Sequence, residues 1–140
     1  MKRPASIERW LAFVLLTYAT ATLLHFSHNA FYLQDYPNIP AALTAARVWG
    51  AWIAVTSVGV AGYWLHRAGH LVAGFALIAT YAVLGYAGLD HYVLAAPTAH
   101  SFMMNLTIML EALTASAVLA VLAALLVARG KLHGRDQVHP

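Results

Sequence analysis

The sequence predicts an all-α integral membrane protein, a four-helix bundle with both termini in the cytoplasm. Three observations carry this. Hydrophobic residues make up 61% of the 140-residue chain and charged residues 9%, against about 25% charged in an ordinary soluble domain. The apolar residues fall into four runs, each near the roughly 20 residues that cross a bilayer as a helix. The basic residues gather where membrane topology wants them. A soluble domain this small needs a polar shell, and these charges are too few to build one. The chain has no cysteine, which excludes disulfides, thiolate metal sites, Fe–S clusters and thiol catalysis. The formal charge of +3 does not point to nucleic acid, because it comes from the chain ends and one turn.

The first span is expected over about 7–26. It follows Lys2 and Arg3 like the core of a signal peptide, but no small-residue cleavage site follows it; His25, Phe26 and His28 come instead. It is read as a retained helix. The second is expected over about 43–66, with Asn38 as its cap and Pro40 in its first turn. The third covers about 71–89. The segment His66-Arg67-Ala68-Gly69-His70 between them is so short that the two helices must form an antiparallel hairpin. The fourth covers about 101–128, after Pro97 and Thr98, and residues 129–140 read as a polar cytoplasmic tail that frays from Gly130. The whole chain is one transmembrane domain.

Orientation follows from the positive-inside rule. Lys2, Arg3 and Arg9 precede the first span, Arg67 lies in the second turn, and Arg129, Lys131 and Arg135 follow the fourth. Only Arg47 falls on the other side. The termini and the second turn are therefore expected in the cytoplasm of a multi-pass cell-membrane protein.

Polar groups inside spans are costly and usually face the bundle interior. Helical spacing aligns Tyr18, Thr22, His25, His28 or Asn29, and Tyr32 in the first helix if it continues past His25, Trp52, Thr56, Gly59, Tyr63 and His66 in the second, and His100, Met104, Thr107, Glu111 and Thr114 in the fourth. Asn105 and Ser116 lie on another face, suited to a neighbouring helix. With the predicted orientation, His25, His28, Asp90, His91 and His100 all come to the extracytoplasmic end, with Asp35 in the loop above. Neutral imidazole binds copper, iron and zinc, and a carboxylate adds charge neutralisation. These five residues are the expected metal ligands. Copper is favoured over iron or zinc because Met103, Met104 and Met109 could add thioether donors. The bland alternative is that each histidine bonds water or headgroups at the interface. Trp10, Trp49 and Trp64 read as interfacial anchors.

Glu111 falls about 15 Å down the fourth helix, where a charge costs on the order of 3 kcal/mol. It is read as a catalytic or relay carboxylate, or else as a protonated acid bonded to a bundle hydroxyl. Roughly 16 Å of helix separates it from His100, so it is expected to extend a polar path inward rather than share one ion. Four functions fit these residues. The first is a metal protein, either a redox enzyme or a subunit of a membrane oxidase or monooxygenase. The second is a b-type haem protein with two histidine ligands, such as His25 and His91. The third is a metal-free lipid-modifying enzyme using Glu111 and a histidine as acid and base. The fourth is a non-catalytic subunit. The partners expected are the lipid bilayer and either further membrane subunits or copies of the chain.

Overall fold

A computed structural model describes residues 5–136, with the side chains of 8–130. It contains helices and no strand among the described residues. Four helical spans, Glu8–Phe31, Ala45–Arg67, Leu71–Leu94 and Phe102–Gly130, are long and apolar enough to cross a bilayer. The bundle is apolar outside, where Leu16, Val72 and Phe102 are largely exposed, and its interior sets Thr22, His25, His66 and Glu111 among apolar side chains such as Leu11, Ile78 and Ile108. This suits a chain whose solvent is lipid, where polar groups must find partners inside.

Helix α1 (Ala5–Phe31) runs past the expected end of the first span by five residues. A 3₁₀ turn at Leu33–Asp35 and an irregular loop lead to α2 (Ala45–Arg67). The cap of α2 is not Asn38. Thr44, in an extended conformation, accepts the Arg47 N–H at 3.3 Å. Asn38 instead adopts a positive φ of 57° and donates its amide to the Leu94 carbonyl at 2.8 Å, tying the first loop to the second.

The turn after α2 ends the helix by backbone geometry. Gly69 takes φ +94°. The His70 N–H reaches back to the Leu65 carbonyl at 3.0 Å and the Gly69 N–H to His66 at 3.2 Å. This is a Schellman motif, which needs a left-handed residue one place past the cap. Helix α3 (Leu71–Leu84) then packs antiparallel on α2, as expected. Small residues let the backbones approach. A Cβ at Gly74 would lie 2.6 Å from the His66 nitrogen, and one at Gly62 2.8 Å from that of Ile78. Close approach of this kind supplies the dispersion that holds helices together in lipid.

The third span changes character near its end. After Leu84 the chain tightens into a 3₁₀ segment, Gly85–Asp90, and then the single turn α4 (His91–Leu94). A further turn at Pro97–Ala99 precedes α5 (Phe102–Asp136). The expected frayed tail is thus helical to Asp136, and 137–140 lie outside the described residues. Asn105 and Ser116 serve within the chain. The Asn105 amide donates to the Pro97 carbonyl at 3.0 Å while its carbonyl accepts the Tyr92 hydroxyl at 2.8 Å, and Ser116 meets the Tyr86 hydroxyl at 2.7 Å.

At the terminal end, Glu8 of α1 accepts from Arg129 of α5 at 3.0 Å and contacts His66 Nε2 of α2 at 2.7 Å. The Phe75 ring of α3 completes this lock. It stacks on His66 at 5.0 Å, and the Arg129 guanidinium sits 4.9 Å from its centroid. The start of α1 and the end of α5 therefore lie at one end of the bundle.

Gly74→Leu is expected to force α2 and α3 apart and to destabilise the bundle by about 1–3 kcal/mol. Gly50→Ala, where an added Cβ meets nothing within 4 Å, is expected to stabilise by roughly 0.5–1 kcal/mol. Thermal unfolding in detergent, followed by circular dichroism, checks the opposite signs.

Candidate functional site

The extension of α1 decides where its histidines lie. His25 is six residues short of the helix end at Phe31, so about 9 Å down the bundle, rather than at the rim. Glu111 is nine residues into α5, about 13 Å down. The helices run antiparallel, and the two side chains meet: His25 Nε2 lies 3.6 Å from Glu111 Oε2, with both side chains almost fully buried. Sequence spacing placed Glu111 below the histidines. The structure puts it beside the deepest of them.

From His25 a line of rings climbs toward the loops. The His25 ring meets His91 edge to face at 5.6 Å, and His91 meets His100 at 6.2 Å. His25, His91 and His100 are all buried. His28 is half-buried at the margin, and Asp90 is exposed to the outside. Of the five expected ligands, three histidines share one interior. His28 meets it through a contact with Tyr36, and Asp90, though exposed, is close enough to His91 to act on it electrostatically. Among the described residues, no three His, Asp or Glu side chains converge closely enough to hold a metal ion as they stand.

Hydrogen bonds set the tautomers. The Asn29 amide nitrogen is a donor, so His91 Nε2, 3.1 Å away, accepts and carries no proton. His100 Nδ1 faces the Ala96 carbonyl at 3.1 Å and must donate to it. This leaves His100 Nε2 with a lone pair, and that atom is buried without a partner. His25 Nδ1 and Glu111 Oε2 are likewise buried and unpartnered. Unsatisfied buried polar atoms are scarce in proteins and each calls for a reason. With Asn29 Oδ1, which is also buried and unpartnered, four such atoms lie in this cluster, against His66 Nδ1 and Arg129 Nη1 at the terminal end. That concentration marks it as a place where something else binds or a proton moves.

Tyr36 is the residue that sequence reasoning missed. It comes from the loop after α1, yet it is only 4% exposed. Its ring packs on His91 at 4.8 Å and approaches His100 at 6.3 Å, and its hydroxyl lies 2.9 Å from His28 Nδ1. Burial pushes its phenol up to about 12, from an ordinary value of 10.0, against the opposing effect of a hydrogen bond with Thr107. A tyrosine in a loop carries no periodicity. The only local signal was the Tyr36-Pro37-Asn38 turn, whose anchoring to Leu94 is a long-range contact.

Two glycines in the 3₁₀ segment make room for the deep end. A Cβ on Gly88 would fall 2.8 Å from Glu111 Oε2 and 3.5 Å from His25 Nε2. A Cβ on Gly85 would collide with the Tyr18 hydroxyl. The 3₁₀ winding has a chemical consequence here. The Gly85 N–H turns to the Ala82 carbonyl, and the Tyr81 carbonyl accepts the Tyr18 hydroxyl at 3.0 Å. Mid-span 3₁₀ segments of this kind accompany functional sites.

The loop side of the cluster opens into a cavity of about 590 Å³ lined by His28, Tyr32, Asp35, Ser101, Met103 and Met104. Tyr36 separates its His28 wall from His91. Comparison of the chain with protein-family models, with curated proteins and with solved structures gave no match. The site is therefore read from its own chemistry.

The raised Tyr36 phenol makes folding pH-dependent in the alkaline range. Below pH 10 both folded and unfolded states hold the proton. Above it the unfolded chain loses the proton first, so stability falls as pH rises from about 10 to about 12. Chemical denaturation across that range should show a component of this loss that is absent from Tyr36→Phe.

Proposed function

We propose that this membrane bundle performs acid–base chemistry at a buried histidine–carboxylate site, with Glu111 and His25 as the pair that exchanges the proton. The observation that carries the reading is the 3.6 Å approach of His25 Nε2 to Glu111 Oε2 among almost fully buried side chains. That separation is longer than a hydrogen bond, so proton exchange between carboxylate and imidazole takes a small closing movement or a bridging water, and a low dielectric strengthens their coupling. Glu111 Oε2 forms no hydrogen bond and faces the space that Gly88 leaves. His91 and His100 extend the site toward the loop cavity, with Tyr36 closing the passage. The loop-side cavity sets His28, Asp35 and Ser101 beside Met103 and Met104, and the substrate class that fits such a mixture is an amphipathic, lipid-like molecule. The bias of basic residues toward the other end supports an extracytoplasmic position for the cluster.

A metal-dependent reading has its own support. A histidine that donates Nδ1–H to a backbone carbonyl and keeps a buried Nε2 lone pair has the arrangement of a metal ligand with its supporting bond in place. His100 has this arrangement. Copper or iron would be bound by His100 with His91 and His25, after His91 exchanges its Asn29 bond. His28 would complete the set from the margin. A b-type haem would use His25 and His91.

Infrared difference spectra of the purified protein, titrated with acid, should contain one carboxyl carbonyl band that Glu111→Gln removes and His25→Gln shifts. A band unaltered by both variants would sink the acid–base reading. Elemental analysis and a visible spectrum of the same preparation test the metal and haem readings. Stoichiometric copper or iron that is lost in His100→Ala would favour metal, and a Soret band would favour haem.

A further inference from the structure

A second site lies away from the histidines, on the face between α1 and α2. A groove of about 490 Å³ runs there, walled by small or apolar residues of α1, among them Ala12, Leu15 and Ala19. Thr56, Val60 and Arg67 of α2 mark its length. Eleven residues separate Thr56 from Arg67, so the groove is about 16 Å long. Its two ends differ in chemistry. Arg67 stands at the turn end, and none of the carboxylate contacts among the described residues involves it. Trp64 beside it is 67% exposed, as suits the boundary between headgroups and hydrocarbon. At the deep end the Thr56 and Tyr81 hydroxyls lie next to each other, and neither forms a well-aligned hydrogen bond. Tyr81 itself is only 3% exposed.

We propose that this groove is a binding site for one anionic phospholipid, its phosphate at Arg67 and one acyl chain along α1 toward Thr56 and Tyr81. Charge complementarity selects the headgroup. The guanidinium presents several donors in a planar fork that matches a phosphate, and it sits where a headgroup lies when the chain fills the groove. Shape selects the tail. Ala12 and Ala19 leave space on α1 to either side of Leu15 and Leu16, and this wall is apolar throughout, so an acyl chain can lie against the helix and remain in contact with bulk lipid. The site is independent of the proton chemistry proposed above, although the two adjoin through Tyr81, whose ring packs on Tyr18 at 4.5 Å.

Native mass spectrometry of the full chain in detergent tests this, with phosphatidylglycerol and phosphatidylcholine of the same acyl chains titrated separately. The wild type should retain one phosphatidylglycerol, bound about fivefold more tightly than phosphatidylcholine, the preference one basic residue gives an anionic headgroup. Arg67→Gln should bring the ratio to near one, and Arg67→Lys should restore most of it. Ala19→Phe, which fills the channel, should weaken both lipids alike. An equal preference in wild type and Arg67→Gln would overturn the proposal. So would unchanged retention of lipid in Ala19→Phe. Circular dichroism confirms that each variant is folded, and if Ala19→Phe fails to fold, the Arg67 pair alone decides.

Discussion

Lipid offers no partners to a polar group, and this constraint organises the molecule. Charged and imidazole side chains deep within the spans are driven to meet one another inside the bundle. Helices α1 and α5 solve this at two levels. His25 meets Glu111 toward the loop end, and Glu8 meets Arg129 at the terminal end. Seventeen residues separate Glu8 from His25 and eighteen separate Glu111 from Arg129, which is about 25 and 27 Å of helix. The two contacts therefore agree on a single antiparallel register. A slip of one turn would part Glu8 from Arg129, leaving it only His66, and would carry Glu111 away from His25.

The two contacts differ in what they leave over. At the terminal end Glu8 uses both oxygens, one on Arg129 and one on His66, and Phe75 covers the group. That arrangement is a structural lock. At the other end Glu111 has an oxygen with no hydrogen bond, His25 an idle Nδ1 and His100 an idle Nε2. The chain tightens into 3₁₀ turns beside them and provides glycine where a side chain would touch Glu111. The lock too leaves His66 Nδ1 and Arg129 Nη1 without partners. What separates the candidate site is its open central pair, 3.6 Å between His25 and Glu111 against 2.7 and 3.0 Å around Glu8.

The groove on the α1–α2 face adds a third way of meeting the same solvent. Arg67 sits at its interfacial end and two hydroxyls at its base. The helices thus present to lipid a surface that is mostly plain hydrocarbon, with one polar track ending beside the core tyrosines.

Much of the architecture was legible in residue order, and for one reason: span length and hydropathy are local properties. Four apolar runs of bilayer length and a five-residue turn containing Gly69 dictated four helices and a tight hairpin, and the structure has both. Helical spacing also identified His25, Glu111 and Thr107 as residues of the inward face. Depth was not legible. Five further residues of helix in α1 lower His25 from the rim to the level of Glu111, and helix ends are decided by packing and by loop contacts such as Asn38 to Leu94. Nor could spacing reveal that Asp90 faces outward, that Tyr36 folds in from a loop to cover His91, or that Glu8 and Arg129 join across the chain. Each of these is a contact between residues distant in sequence, and only the assembled bundle determines which of them meet.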